Sequence, residues 1–163
     1  MKKFITLLTI VALVGMVFSG CKKDDEKTDA GVTRDITNKD WHGFMDTYKK
    51  NGSSWTSLDE RSFVVLRFNG APNALVGSGY QLEFKNANMA GNPSDRSPFN
   101  WAIANGAIHI AYTTPGWSDV WIDYNNSVVS TTTFSGDMYD HNEHKYTFLF
   151  QQGISIDWNK YFN

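Results

Sequence analysis

The strongest constraint on the fold is the segment "FNWAIANGAIHIAY", in which apolar and polar residues alternate from Phe99 to Tyr112. Alternation with a period of two is typical of a β-strand that buries one face. Asn105-Gly106 interrupts the alternation and favours a two-residue hairpin turn. The predicted hairpin places large side chains on one face, namely Phe99, Trp101, Ile103, Ile108, Ile110 and Tyr112, with His109 and Ala111 on the other.

Similar short segments, separated by turn-forming residues, occur along most of the chain. Turn signals recur about every 8 to 12 residues, which is typical of an all-β barrel or sandwich. We therefore predict an all-β fold, a single antiparallel meander closed into a small barrel, with a β-sandwich as the alternative. The additional segments begin at Trp41, Phe63, Gly79, Val120, Val128 and Lys145. The best helical candidate is "SLDER", where Ser57 and Glu60 could form a capping box of about one turn.

Residues 37–163 have the size of one ordinary domain with a single core. The chain has 1 cysteine, Cys21, so this domain cannot contain a disulfide and must be stabilised by burial. Aromatic residues make up 15% of the sequence and the formal net charge is −2, which offers no basic surface for nucleic acid. The rings predicted to fill the core are Trp101, Tyr112, Tyr124, Phe134, Phe148 and Phe150.

The N-terminus has the order of a secretory signal peptide. Lys2 and Lys3 precede an apolar run from Phe4 to Phe18, and small residues follow. The run is shorter than the roughly 20 apolar residues of a membrane-spanning helix. We expect residues 1–20 to be removed.

The sequence Phe18-Ser19-Gly20-Cys21 resembles the lipobox of bacterial lipoproteins, although leucine is usual at the position of Phe18. The resemblance implies that Cys21 becomes the mature N-terminus and carries several acyl chains, such as palmitate. Two or more chains hold a protein firmly on a bilayer. The charged sequence that follows cannot bury apolar surface, so we predict a disordered tether over residues 21–36.

The sequence Lys23-Asp24-Asp25-Glu26 is similar to the surface-export signal of Bacteroidetes-type lipoproteins. That resemblance implies an outer-membrane protein that faces the cell exterior. The alternative is a generic solvated linker.

A second resemblance covers Gly77 to about Gln151, through "GSGYQLEF", "FNWAIANGAIHIAY", "WIDYN", "TFSGDM" and "KYTFLF". These segments resemble small Bacteroidetes-type lipoproteins with a lipocalin-like β-barrel domain of unknown function. The resemblance implies a fold and carries no catalytic motif.

Metal-ligating residue types are densest in "GDMYDHNEHK", which contains Asp137, Asp140, His141, Glu143 and His144. On a strand or hairpin the two histidines should point to opposite faces, so the segment is interpreted as a charged hairpin tip. We expect neither a metal nor a cofactor. The chain contains no Gly-x-Ser-x-Gly nucleophile motif, and a pair drawn from Glu83, Asp119, Asp123 and Asp137 is the remaining route to a glycosidase.

Three tryptophans do not fit the core pattern and are the candidate ligand-binding residues. Trp55 lies in a polar segment, Trp117 lies in the turn "TPGWSD", and Trp121 shares a predicted face with Asp123. Exposed tryptophans commonly anchor partners at binding surfaces. The alternative is that the loops fold back over an end of the barrel.

Three functional hypotheses follow. The first is a non-enzymatic, lipid-anchored binding module for a glycan, a peptide or an envelope protein. The second is a lipocalin-like carrier of a small apolar ligand, although the many inward rings favour a filled interior. The third is a surface polysaccharide hydrolase with paired carboxylates.

Overall fold

The computed structural model describes residues 27–162 of the chain. Helix α1 spans Asp29–Ile36, helix α2 spans Asn159–Phe162, and a single 3-10 turn spans Tyr124–Asn126. The strands are β1 (Asp40–Asn51), β2 (Ser54–Asn69), β3 (Val76–Phe84), β4 (Asp95–Ala104), β5 (Ala107–Tyr112), β6 (Val120–Asp123), β7 (Val128–Val129), β8 (Thr133–Asp140) and β9 (His144–Gln152).

The strands form one antiparallel sheet that closes on itself. The first six strands pair in sequence order, β6 pairs with β8, and β9 pairs with both β8 and β1. Strand β7 pairs only with β8 and lies outside the ring of the other eight. The structure therefore confirms the all-β meander closed into a small barrel.

The β4–β5 hairpin confirms the turn predicted at Asn105-Gly106. Both turn residues have positive φ, 54° and 82°, as a type I′ turn requires. The register pairs Phe99 with Tyr112 and Ile103 with Ile108, so the large side chains share the interior face as expected.

One half of the interior is filled with aromatic rings. Phe134 packs edge-on against Trp41, Phe68 and Phe148, with ring centroids 5.8, 6.2 and 4.9 Å apart. Edge-on ring pairs add about 0.5–1.5 kcal/mol beyond the burial of area. Five of the predicted core rings are buried here, and Tyr112 packs partly buried against them; the buried five are Trp101, Tyr124, Phe134, Phe148 and Phe150.

Helix α1 covers the filled end of the barrel, which we call the closed end. Thr28 caps the helix by accepting a hydrogen bond from the amide of Gly31, and Val32 and Ile36 are buried in the core. The indole of Trp41 donates to the carbonyl of Ile36 across 2.9 Å.

The extent of the tether requires a correction. The sequence predicts disorder over residues 21–36, whereas Asp29–Ile36 is a helix that belongs to the domain. Burial of its apolar side chains against the barrel compensates for a charged and weakly helical sequence. Cys21 and the rest of the predicted tether before Lys27 lie outside the described residues.

A second apolar cluster lies on the outer face of β2 and β3. The C-terminal segment, residues 153–162, packs over the outward side chains of these strands. This cover explains why "FVVLRF" is almost continuously apolar, since both of its faces are buried. The cluster contains Phe63, Val65, Leu82 and Phe84, and the segment contributes Ile154, Ile156, Trp158, Tyr161 and Phe162.

The helical turn predicted at "SLDER" is wrong. Ser57 and Glu60 belong to β2, which continues to pair with β1 as far as Asn51 and Ser54. A positive φ at Asp59 accompanies an irregularity of the register between Asp46 and Tyr48. Pairing with β1 therefore prevails over a weak local helical signal.

Candidate functional site

The end of the barrel opposite α1 is open and leads into a cavity of about 500 Å³, which we call the mouth. This volume is within the range of small-molecule sites, about 300–1,000 Å³. The wall is drawn from strands β1, β2, β3, β5, β6, β8 and β9 and from the β5–β6 loop. Its residues include Met45, Thr47, Leu58, Glu60, Ser62, Gln81, Glu83, Tyr112, Trp117, Val120, Met138, Asp140, Asn142, His144 and Tyr146.

The mouth is polar because the inward-facing positions change character along each strand. On β9, Phe150 and Phe148 face the core, and the next inward positions toward the mouth are Tyr146 and His144. Strand β2 changes in the same way, from Leu66 and Val64 to Ser62 and Glu60, and β3 contributes Gln81 and Glu83. Side chains alternate between the inner and outer faces along these strands. Polar inward residues therefore line the mouth as a polar cup, and the aromatic inward residues that fill the interior beneath it form an aromatic floor.

A chain of hydrogen bonds crosses the cup on one side. The hydroxyl of Tyr112 donates to Gln81 Oε1 across 2.5 Å, and Gln81 Nε2 donates to Glu83 Oε1 across 2.8 Å. Gln81 is 2% exposed, so its amide is fixed by these two partners. Burial raises the pKa of Glu83, while hydrogen bonds from Ser62 and Gln81 act in the opposite direction. Burial, followed by the charge of Glu83, raises the pKa of Tyr112.

The other side of the mouth is organised by Asp140. Its Oδ1 accepts hydrogen bonds of 2.8 Å from the backbone amides of both Asn142 and His144, which fixes the β8–β9 turn. Nδ1 of His144 lies 3.1 Å from Asp140 Oδ2. Burial, followed by the charge of Asp140, raises the pKa of the Tyr146 hydroxyl. Much of the hydrogen-bonding capacity of Asp140 therefore serves the hairpin itself.

Trp117 stands at the rim of the mouth, on the β5–β6 loop. Its ring centroid lies 4.8 Å from that of Tyr112, and the two planes meet at 56°. The pair forms an aromatic corner that faces the cavity, because both residues belong to its wall. A hydrogen bond from Asn142 to Ser118 ties this loop to the β8–β9 turn.

The other two predicted tryptophans lie outside the barrel, on one patch. Tyr139 lies between them, with its ring centroid 5.9 Å from that of Trp55 and 6.1 Å from that of Trp121. Lys145 Nζ lies 5.7 Å from the ring centroid of Trp55, and Trp121 also packs against His141 at 5.0 Å. We call these five residues the outer aromatic patch. The structure thus brings Trp55 and Trp121 together and places Trp117 in a different site.

Of the four predicted carboxylates, Glu83 alone lines the mouth. Glu83 faces the interior, whereas Asp137 accepts a hydrogen bond from Thr147 on the outer side and lies beside Lys145. Asp123 caps the 3-10 turn, and Asp119 is exposed in the β5–β6 loop. Sequence spacing could not show that the wall of the barrel lies between Glu83 and the outer Asp137.

The histidines of "GDMYDHNEHK" face opposite sides, as predicted. His141 contacts Trp121 on the outer surface and His144 lines the mouth. Within residues 27–162, no group of three or more His, Cys, Asp or Glu side chains is arranged to hold a metal ion.

Sequence reasoning missed the mouth itself. Gln81, Ser62 and Glu60 occupy inward positions of strands that otherwise carry apolar residues, and this change marks where a barrel interior becomes a cup. Tyr112 was expected to act as a core ring, yet its hydroxyl is the first member of the hydrogen-bond chain that leads to Glu83.

Comparison of the sequence with protein-family models and with curated proteins gives no match. In the part of the chain that the structure describes, no helix has the length and apolar character needed to cross a membrane.

Proposed function

We propose that this protein is a non-enzymatic, lipid-anchored binding module that holds a small ligand in the mouth of its barrel. The observation that carries the proposal is the cavity of about 500 Å³ at the end of the barrel opposite α1. An eight-stranded barrel can be filled by side chains or can hold one ligand, and this barrel divides its length between the two. Aromatic rings fill the interior near α1, and the ligand would occupy the open cavity at the other end.

The lining favours a polar or amphipathic ligand over the purely apolar cargo of a lipid carrier. Gln81, Glu83 and Asp140 present amide and carboxylate groups to the cavity, while Met45 and Val120 supply apolar wall. A fully apolar ligand would remove water from the carboxylate of Glu83, which has more acceptor sites than Gln81 and Ser62 fill, at a cost of about 1–3 kcal/mol for each lost partner. A ligand with hydrogen-bonding groups at one end suits the cup better.

Attachment to the outer membrane, on the cell surface, is the second part of the proposal. It rests on the resemblance of Phe18-Ser19-Gly20-Cys21 to a lipobox and of the following charged residues to an export signal. Acyl chains on Cys21 would keep the binding domain at the bilayer, where the ligand would be captured from the surroundings.

The test is a pair of tryptophan substitutions made in the full chain. Ser62→Trp places a large ring in the mouth, and Ala111→Trp places the same ring on an exposed outer position of β5. Native mass spectrometry and a thermal-shift screen of polar metabolites should find ligands that stabilise the parent and Ala111→Trp proteins. Ser62→Trp should lose that stabilisation while it retains the barrel's circular dichroism spectrum. Equal stabilisation of all three proteins would place binding elsewhere.

The outer aromatic patch supports a second candidate function, binding of a glycan or an envelope protein. Trp55 is 36% exposed and lies with Tyr139, Trp121 and Lys145 on one outer surface. Aromatic faces beside a polar group suit sugar rings as well as protein anchors. A glycan array probed with Trp55→Ala/Trp121→Ala should show lost binding, and Trp117→Ala should bind normally. The reverse result would assign the glycan to the mouth.

A further inference from the structure

We propose that the ligand of the mouth is a cation, specifically an organic amine whose ammonium group lies between the Trp117–Tyr112 corner and the carboxylate of Glu83. The inference rests on the proposed function and names its ligand class. Three features of the cavity lead to it, namely its charge, its aromatic corner and the connection between the corner and a carboxylate.

The first feature is the sign of the charge. The described residues that line the mouth include three carboxylates, those of Glu60, Glu83 and Asp140. The same lining contains no lysine and no arginine. His144 is the one basic side chain in this lining, and it lies against Asp140. The chain as a whole has 15 lysine and arginine residues and 17 aspartate and glutamate residues, so the bias of the mouth is much stronger than that of the sequence. A cavity with one sign of charge attracts the opposite sign.

The second feature is the aromatic corner. The rings of Trp117 and Tyr112 meet at 56° with centroids 4.8 Å apart. An ammonium group gains about 0.5–2 kcal/mol over an aromatic face, and a desolvated site lies at the upper end. Two rings at an angle can contact one ammonium group on two sides, which a stacked pair cannot do.

The third feature connects the corner to a negative charge. The hydroxyl of Tyr112 donates to Gln81, and Gln81 donates to Glu83, so these groups form one fixed unit on adjacent parts of the wall. Burial disfavours the charged form of Glu83, and a bound cation would reverse that effect.

The size and the lining describe the rest of the ligand. Apolar wall from Met45, Val120 and Met138 lies between the polar cup and the aromatic floor. An amine with a short aromatic or aliphatic body would place its apolar part against this wall. A large lipid would have to displace the ring cluster around Phe134, which packs tightly on three sides.

The experiment compares three compounds with the same skeleton and different charge: phenethylamine, 2-phenylethanol and 3-phenylpropionate. Binding is measured by calorimetry at neutral pH and at two salt concentrations. We expect phenethylamine to bind at least about tenfold more tightly than the neutral alcohol and the acid to bind least. Added salt should weaken binding of the amine and leave binding of the alcohol unchanged.

Two variants and a control locate the effect. Glu83→Gln removes the charge at nearly constant shape and Trp117→Leu removes one face of the corner, and each should reduce phenethylamine affinity by about tenfold. Asp119→Asn removes an exposed carboxylate outside the lining and should change affinity less than about twofold. Thermal melting of each variant shows whether it is folded.

The outcomes separate this inference from the proposed function. Binding of the alcohol or the acid as tightly as the amine, lost in Ser62→Trp, would overturn the cation while a ligand site in the mouth would stand. Absence of phenethylamine binding at millimolar concentration would also overturn the assignment of an amine ligand. The proposed function would then be tested separately by the metabolite screen. Amine binding that Ser62→Trp leaves unchanged would overturn both.

Discussion

The indole N–H of Trp158 donates a hydrogen bond of 2.9 Å to Asp40 Oδ1, and this bond fixes the C-terminal segment to the first strand. Asp40 is 7% exposed and also accepts hydrogen bonds from Arg67 and from the amide of Ile156. One buried carboxylate therefore joins three parts of the chain, and the cover of the outer apolar cluster depends on it.

Replacing Asp40 with alanine should destabilise the domain strongly. The substitution leaves the guanidinium of Arg67 and two N–H donors without their acceptor, and removing one member of a buried pair costs about 3–5 kcal/mol. Because Arg67 is partly exposed, we expect about 2–3 kcal/mol by urea denaturation. Asp157→Ala, in the same segment but exposed, should change stability by less than about 0.5 kcal/mol. Equal effects of the two substitutions would contradict this role.

Helix α1 should be required for a stable barrel. Ile36→Ala removes a side chain with 0% exposure and should cost about 2–5 kcal/mol. Arg34→Ala, on the exposed side of the same helix, is the matched control and should be nearly neutral. A chain that begins at residue 37 should melt at a lower temperature than one that begins at residue 27. If the two chains melt at the same temperature, α1 does not contribute to the stability of the barrel.

The free energy of unfolding should decrease as the pH rises, because burial disfavours the charged form of Glu83. Its pKa in the folded protein is raised above the ordinary value of 4.5, so between that value and the folded pKa the native state binds more protons than the unfolded state. Stability from this group is fully present below 4.5 and is lost as the pH rises through the folded pKa. Glu83→Gln does not titrate and should therefore gain stability relative to the parent at pH above that window.

The measurement is the difference in unfolding free energy between parent and Glu83→Gln across a pH series. We expect the difference to favour the variant increasingly from acid to neutral pH. Glu143→Gln makes the same chemical change at an exposed carboxylate of the β8–β9 turn and is the matched control for loss of a surface charge. A flat profile for Glu83→Gln would mean that burial does not disfavour the charge of Glu83.

The proposed acylation of Cys21 can be tested on the full chain. Labelled palmitate should be incorporated into the parent chain, and Cys21→Ser should abolish incorporation and move the protein from the membrane fraction to the soluble fraction. The matched control is Ser19→Ala, which keeps a small residue before the cysteine. Unchanged fractionation of Cys21→Ser would remove the anchor from the proposed function.

The barrel was predictable because its signals are local. Alternation and the Asn105-Gly106 turn fix the β4–β5 hairpin within one short stretch of chain, and the structure confirms its register. The boundary at α1 was not predictable, because Gly31 and the β-branched Val32 and Thr33 give little helical propensity. That helix is stabilised by residues such as Trp41 and Phe68, and only the folded barrel brings them to it.

The site was harder to predict because it depends on long-range register. Trp55 and Trp121 are distant in sequence and meet through Tyr139, while Trp117 lies close in sequence to Trp121 and occupies another site. Tyr112 and Gln81 become partners only when β3 and β5 both pair with β4. The sequence pattern singled out three tryptophans outside the predicted core, but it could not show on which surface each one lies.

The position of α1 at the closed end also determines how the molecule would stand on a bilayer. Residues 22–28 separate Cys21 from the helix and span at most about 25 Å when fully extended. With Cys21 acylated as proposed, the lipid attachment would enter the body on the side of α1, and the cup would open on the opposite side, away from the headgroups. Capture would favour solutes arriving from the medium over molecules extracted from the leaflet beneath.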